Sequence, residues 1–271
     1  MNTCSMPRKT AQGVPDCAIV IRAPSPPTIH LTTPATLRRV WLTSIVMLAT
    51  CGSPQLLASP HPSVQPATNT TTATSVRFAD FGVDKPSADA RYLANWVADS
   101  RDNGATEFFI VDKKDARVYA FNAAAHLTGS SAVLLGSAKG DDSVPGIGLK
   151  PIAAVKPSER TTPAGRFLAE RGRNTSGEDV VWVDYDAAVS MHRVRTTNAK
   201  ERRLERLATP TAEDNRISYG CINVPVAFYN AHIKPAFAKH RAVVYVLPEV
   251  KPVQQVFGSY DVAARHALVP R

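Results

Sequence analysis

The sequence predicts a mostly β domain, sandwich-like or barrel-like, with a few short helices. Three observations carry this. Most apolar residues fall in short runs rich in Val, Ile, Phe and Tyr, separated by Gly, Asp, Asn or Ser. Only two segments, about 87–103 and 225–238, space their apolar residues at helical intervals. The 271 residues are 44% hydrophobic, enough to bury the core of one or two domains.

Taken in order, Ser87 is placed to cap a helix whose Tyr92, Leu93, Trp96 and Val97 share one side, and Asn103-Gly104 stops it. Glu107 to Asp112, Ala116 to Asn122 and Leu127 to Gly136 then read as an antiparallel meander. Residues 137–161, rich in Gly, Pro, Lys and Asp, read as a long loop inserted near a site, since such loops in compact domains are usually functional. Strand signals resume at Gly165 to Glu170 and Val180 to Tyr185, with a hairpin tip between them, and Ala187 to Val194 follows, placing His192 at or near a strand end. The charged stretch Arg193 to Arg216 holds seven basic and four acidic residues and reads as a solvated face with a short surface helix. Pro225 opens the second helix, with Val226, Tyr229, Ile233 and Phe237 at helical spacing, and Ala242 to Leu247 is a last strand.

The N-terminal segment has a different character. Arg38 and Arg39 precede the apolar run Val40 to Thr50, a basic region ahead of a short hydrophobic stretch, which is the pattern of a secretory signal. The run is too short to span a bilayer comfortably, so no transmembrane helix is expected after processing. Leu48 to Cys51 also resembles a lipobox, with Thr50 where a smaller residue is usual, and a buried helix in a cytoplasmic protein is the bland alternative. Residues 59–75, rich in Pro, Thr and Ser, read as a flexible tether. The chain thus divides into a signal-peptide region (1–58), a tether (59–75), a folded domain (76–250) and a C-terminal tail (251–271). Export to the periplasm or cell envelope is the expectation.

The formal charge is +9, but five basic residues and one acidic residue lie in 1–58, leaving +5 for the rest. With few aromatics, that excess gives nucleic-acid binding little support, and an anionic wall polymer suits it equally. Cys4, Cys17 and Cys51 fall in the segment expected to be removed, which leaves Cys221 alone in the processed chain. A lone cysteine in an oxidising compartment is a candidate reactive group, although a small buried hydrophobe is the commoner role. His192 lies 29 positions earlier and is a candidate base for its thiol. Gly220 permits tight backbone geometry there, and nearby N–H groups are candidates for an oxyanion hole. No H-E-x-x-H helix, paired-cysteine ligand spacing or S-x-x-K pattern occurs, so neither a metal nor another cofactor is expected.

Two motifs stand in register. Thr162-Pro163-Ala164-Gly165-Arg166-Phe167 lies upstream, and His192 is followed by Ser218-Tyr219-Gly220-Cys221-Ile222-Asn223. Over roughly residues 106–248 this arrangement resembles the L,D-transpeptidase catalytic-domain (YkuD-like) family, whose signature is T-P-x-G-x-[FY], then His, then S-[HT]-G-C-[IV]-R. The resemblance implies an exported cysteine transpeptidase acting on peptidoglycan stem peptides, with carbapenems as covalent inhibitors and a part in cell-wall biogenesis and cell shape. It implies Cys221 as nucleophile, His192 as base, the backbone of Tyr219 to Cys221 as oxyanion site, and Ser218 as a shaper of that loop. Arg193, Tyr219 and Asn223 depart from the signature, which has Gly, His or Thr, and Arg at those places. Asn223 brings no cation, so Arg193, Arg195 and Arg216 are candidates to supply one on the substrate side. A hydrolytic carboxypeptidase, a sortase-like enzyme and a non-catalytic wall-binding module remain as alternatives.

Overall fold

The computed structural model describes residues 76–267. The signal-peptide region and tether, with the export and lipidation readings that depend on them, lie outside the described residues, as do Cys4, Cys17 and Cys51. The architecture is mostly β.

Helix α1 (Ala88–Ser100) begins where Ser87 supplies its side-chain oxygen to the N–H of Ala90 at 3.0 Å, satisfying one of the donors a helix start leaves open. It buries Leu93, Trp96 and Val97 and ends at Arg101 in the left-handed conformation. Strands β1 (Phe108–Asp112), β2 (Arg117–Phe121) and β3 (Leu127–Ala132) form the antiparallel meander. The apolar run to Gly136 does not continue as one strand. Leu134 exchanges backbone bonds with Asn223, at 2.8 and 2.9 Å, and Leu135–Gly136 (β4) turns away to pair with a later strand.

Residues 137–161 are not structureless but carry three single-turn 3-10 segments, Ile147–Leu149, Ile152–Ala154 and Pro157–Glu159. Next come β5 (Gly165–Arg173), β6 (Asp179–Asp184) and β7 (Val189–Arg193), then the short helix α2 (Arg203–Ala208) and strands β8 (Arg216–Ser218) and β9 (Ile222–Val224). The helical segment after Pro225 comprises α3 (Val226–Phe228), a π-helical stretch Tyr229–Ile233 and α4 (Lys234–Ala236). Pro235 has no N–H for the carbonyl four residues back and its ring crowds that turn, so the helix widens ahead of it. Strand β10 (Ala242–Val246) follows, and α5 (Val253–Phe257) and α6 (Val262–Ala267) occupy the segment expected as a tail. Val253 and Val262 are buried in a core shared with α1, and the Tyr260 hydroxyl donates to Asp99 at 2.7 Å.

The main sheet runs β3-β2-β1-β10-β5-β6-β7-β9, antiparallel except for the parallel pairs β1/β10 and β7/β9. Because β9 also bridges to Leu134 just after β3, the two edges meet and the sheet nearly closes. Period-two alternation then sorts side chains into two cores. Phe109, Val111, Met191, Ile222 and Val224 point to an inner core with Tyr229 and Ile233. Phe108, Ile110, Val243 and Tyr245 point outward beneath α1. Both faces of β1 and β10 are therefore buried, which is why their sequences are unbroken apolar runs. Among the described residues no helix is long and apolar enough to cross a membrane.

Candidate active site

The parallel pairing of β7 with β9 sets Met191 beside Ile222 and His192 beside Asn223. Met191 and Ile222 face the inner core. Their neighbours along the strands must face the other way, so Ser190, His192, Cys221 and Asn223 share the outer face. Cys221 Sγ lies 3.6 Å from Ser190 Oγ and 3.6 Å from the Ala188 carbonyl oxygen. His192 is two residues further along, a diagonal across neighbouring strands that aromatic and long side chains span. The two residues thus lie on one face of neighbouring strands, at diagonal positions.

His192 is buried, and its Nδ1 lies 2.8 Å from the Arg193 carbonyl oxygen. A carbonyl only accepts, so Nδ1 carries the hydrogen and, in the neutral ring, Nε2 carries the basic lone pair. Cys221 is 1% exposed and disulfide-bonded. Thiol chemistry at this position belongs to the reduced form.

The loop ahead of Cys221 is held from several sides. Ser218 Oγ donates to the Cys221 carbonyl at 2.6 Å and accepts from the Gly220 N–H at 3.1 Å. Ser218 therefore shapes the loop, and the Gly220 N–H, spent on Ser218, is withdrawn from the set of oxyanion donors. Thr162, from the upstream motif, donates its hydroxyl to the Gly220 carbonyl at 2.8 Å and accepts from the Gly136 N–H at 2.9 Å. Tyr219 lies beneath the Arg160 guanidinium, 4.0 Å from ring centre to cation, so the end of the 137–161 loop does reach the site.

Gly220 has φ +128°, and a Cβ there would stand 2.8 Å from the Thr161 carbonyl oxygen. Gly220→Ala should lower stability by about 1–3 kcal/mol through backbone strain alone, with further loss from the clash. A thermal melt checks this. An unchanged melting temperature would mean that the loop is not held as described.

The substrate-side candidates separate. Arg216 donates to Glu249 at 2.5 Å and to the Lys113 carbonyl at 2.8 Å, so it belongs to a structural cluster rather than to the Cys221 face. Arg193 pairs with Asp179 at 3.0 Å, donates twice to Asn230 and stacks on Tyr229 at 4.1 Å. Asn223 is buried, donates to the Cys221 carbonyl at 3.2 Å and accepts from Arg203 Nη1 at 2.6 Å. A cation thus does reach this position, from α2. Arg203 is itself buried and donates to Glu201 at 2.6 Å. The sequence reading missed it by treating 193–216 as a solvated face, and no local signal marks it, because only the docking of α2 brings it to Asn223. Ser190 and Arg160 were missed for the same reason, whereas Thr162 was visible as a motif residue without a role.

Lys113 and Asp141 form a frame behind the loop. Lys113 is fully buried, and its Nζ donates to the carbonyls of Gly140 (2.5 Å) and Thr162 (3.0 Å) and to Asp141 (2.9 Å). Asp141 also accepts the N–H groups of Glu249, Val250 and Lys251. Burial alone would push the Asp141 carboxyl up, but the Lys113 ammonium and these N–H groups outweigh it and hold the pKa at about 2.

No protein-family model matches the sequence, and comparison with characterised proteins finds no match. Among solved structures, the chain is similar to the catalytic domain of the Enterococcus faecium L,D-transpeptidase, at 15% identity and a TM-score of 0.30, over 53% of this chain and 98% of that one. It is similar to the helical cell shape determining protein Pgp2 from Campylobacter jejuni, at 13% identity and a TM-score of 0.38, over 60% of this chain and 52% of that one. It is also similar to the L,D-transpeptidase LdtMt1 in complex with imipenem, at 15% identity and a TM-score of 0.30, over 52% and 59%. The chain therefore spans a little over half the length of these last two structures.

Proposed function

We propose that the processed, reduced chain is an exported cysteine acyltransferase of L,D-transpeptidase type, working in the periplasm or cell envelope on peptidoglycan stem peptides. The observation that carries this reading is the β7/β9 register, which sets His192 and Cys221 on one face of adjacent strands. The tautomer imposed by the Arg193 carbonyl supports it, because it leaves the basic lone pair on Nε2.

In the first step His192 takes the Cys221 proton, and Sγ attacks the carbonyl that follows the third, L-configured centre of a stem tetrapeptide. The amide C–N bond breaks, the departing D-Ala amine takes the proton from His192, and a thioester remains. In the second step an amine of another stem attacks the thioester, gives up a proton to His192, and Sγ leaves as thiolate. Both steps pass through an oxyanion, for which the Tyr219 and Cys221 N–H groups are the proposed donors. Water in place of the second amine would make the same site a carboxypeptidase, and product analysis with and without an acceptor amine separates the two outcomes.

A non-catalytic wall-binding module is the second reading, favoured by the departures at Arg193, Tyr219 and Asn223 and by the basic 193–216 segment. Alkylation of the reduced protein by iodoacetamide across pH tests the choice. A His-activated thiol should titrate well below the ordinary cysteine value of about 8.5, and His192→Ala should move the profile back toward it. Superimposable profiles for the two proteins would remove His192 from the mechanism.

A further inference from the structure

A cavity of about 380 Å³ opens beside the strand that carries His192, and four arginines line it: Arg171 and Arg173 from β5, and Arg193 and Arg195 from the end of β7. Its acidic lining is Glu178 and Asp179. These two carboxylates are engaged: Asp179 lies 3.0 Å from Arg193, and Glu178 lies 3.4 Å from Arg195. Arg171 and Arg173 are exposed and two residues apart on one strand, so they project to the same side. Among the described residues no carboxylate pairs with either, and the only bond Arg173 makes is a donation to the Gly177 carbonyl at 2.7 Å. Four guanidinium groups thus share a concave space with two carboxylates, an excess of positive charge that raises the local potential. Val194 and the half-exposed Val226 complete the wall with aliphatic surface.

We infer that this cavity binds a carboxylate-bearing peptide, with Arg171 and Arg173 as its specificity-determining residues. A guanidinium matches a carboxylate with two parallel N–H donors, and the valines accept an aliphatic side chain that an inorganic anion lacks. His192 forms part of the same wall, and the carbonyl that orients its Nδ1 belongs to Arg193, whose guanidinium faces the cavity. Arg171 pairs with Val181, which pairs with Met191, so the two β5 arginines project from the sheet face opposite to the His192 side chain. That the bound peptide is the substrate rests on the acyltransferase reading; that the cavity selects carboxylates does not.

The test uses the full chain carrying Cys221→Ser, so that binding is measured without turnover. The probes are a stem tetrapeptide with free carboxylates and the same peptide with every carboxylate amidated, followed by calorimetry at low salt. The acid should bind about tenfold or more tightly than the amide, the scale of a charge-assisted bidentate contact. This preference should fall to about unity in Arg171→Gln/Arg173→Gln. Arg171→Gln alone, which severs no described bond, should already lower it several-fold, so a fold defect in the double variant cannot mimic the result. Equal binding of acid and amide, or a preference that survives both substitutions, would overturn the inference. If the preference is present and arginine-dependent while wild type releases no D-Ala from the peptide, the cavity assignment stands and the acyltransferase reading fails.

Discussion

Incubated with a carbapenem after reduction, the wild-type chain should gain the mass of one intact ligand, and Cys221→Ala should gain none. The thiolate adds to the lactam carbonyl, the ring C–N bond breaks, the ring nitrogen takes up the proton, and the acyl group stays on Sγ with no leaving group lost. This needs only the nucleophile, its base and the oxyanion donors, so it is independent of which peptide the protein uses. His192→Ala should slow adduct formation by about 10²–10⁴-fold, the usual contribution of a positioned general base. Asn223→Arg should change the rate but not the site of addition, with the qualification the structure adds: Arg203 already occupies the acceptor of Asn223, so a second guanidinium there meets a like charge. Intact-mass analysis reads all four proteins. Folded, reduced wild type that stays unmodified while an L,D-transpeptidase reacts alongside it would leave the binding module as the better account.

The second large effect is on stability. Lys113→Met removes an ammonium that satisfies two carbonyls and the buried Asp141 at once. Breaking one partner of a buried pair costs about 3–5 kcal/mol, which in a domain of this size lowers the melting temperature by roughly 6–20 °C. Asp141→Asn added to Lys113→Met should recover part of the loss, because it removes the uncompensated charge. In wild type, the low pKa of Asp141 means that its contribution is present above about pH 4 and is lost as pH falls toward 2. Lys113→Met should flatten that acid limb. A drop in stability below about 1 kcal/mol, the range of a surface pair, would show that Lys113 does not anchor the loop. Since Lys113 holds the Thr162 carbonyl and Thr162 holds Gly220, the same variant should also loosen the segment ahead of Cys221.

Much of the fold was legible along the chain because it is written in local pattern. Continuous apolar runs marked β1 and β10, whose two faces are both buried, and Ser87 marked the start of α1 through its own side chain. Gly220 and Cys221 were legible for a chemical reason: a glycine beside the chain's lone downstream cysteine is unusual enough to notice without coordinates. What alternation cannot carry is which strand lies beside which. The break after Ala132 was invisible because it is made by Asn223, about ninety residues away.

The same limit explains the arginines. Along the sequence Arg193, Arg203 and Arg216 are three members of one basic stretch. In the fold, Arg216 is bound to Glu249, Arg203 is buried against Asn223, and Arg193 faces a cavity with Arg171 and Arg173. The sequence by itself determined the strand-forming segments, the capped first helix and the residue types able to perform thiol chemistry, because propensity and side-chain chemistry are local. Only the tertiary structure decided that His192 and Cys221 share a face and which cation serves which position, because long-range register and helix docking depend on contacts between segments that the sequence places far apart.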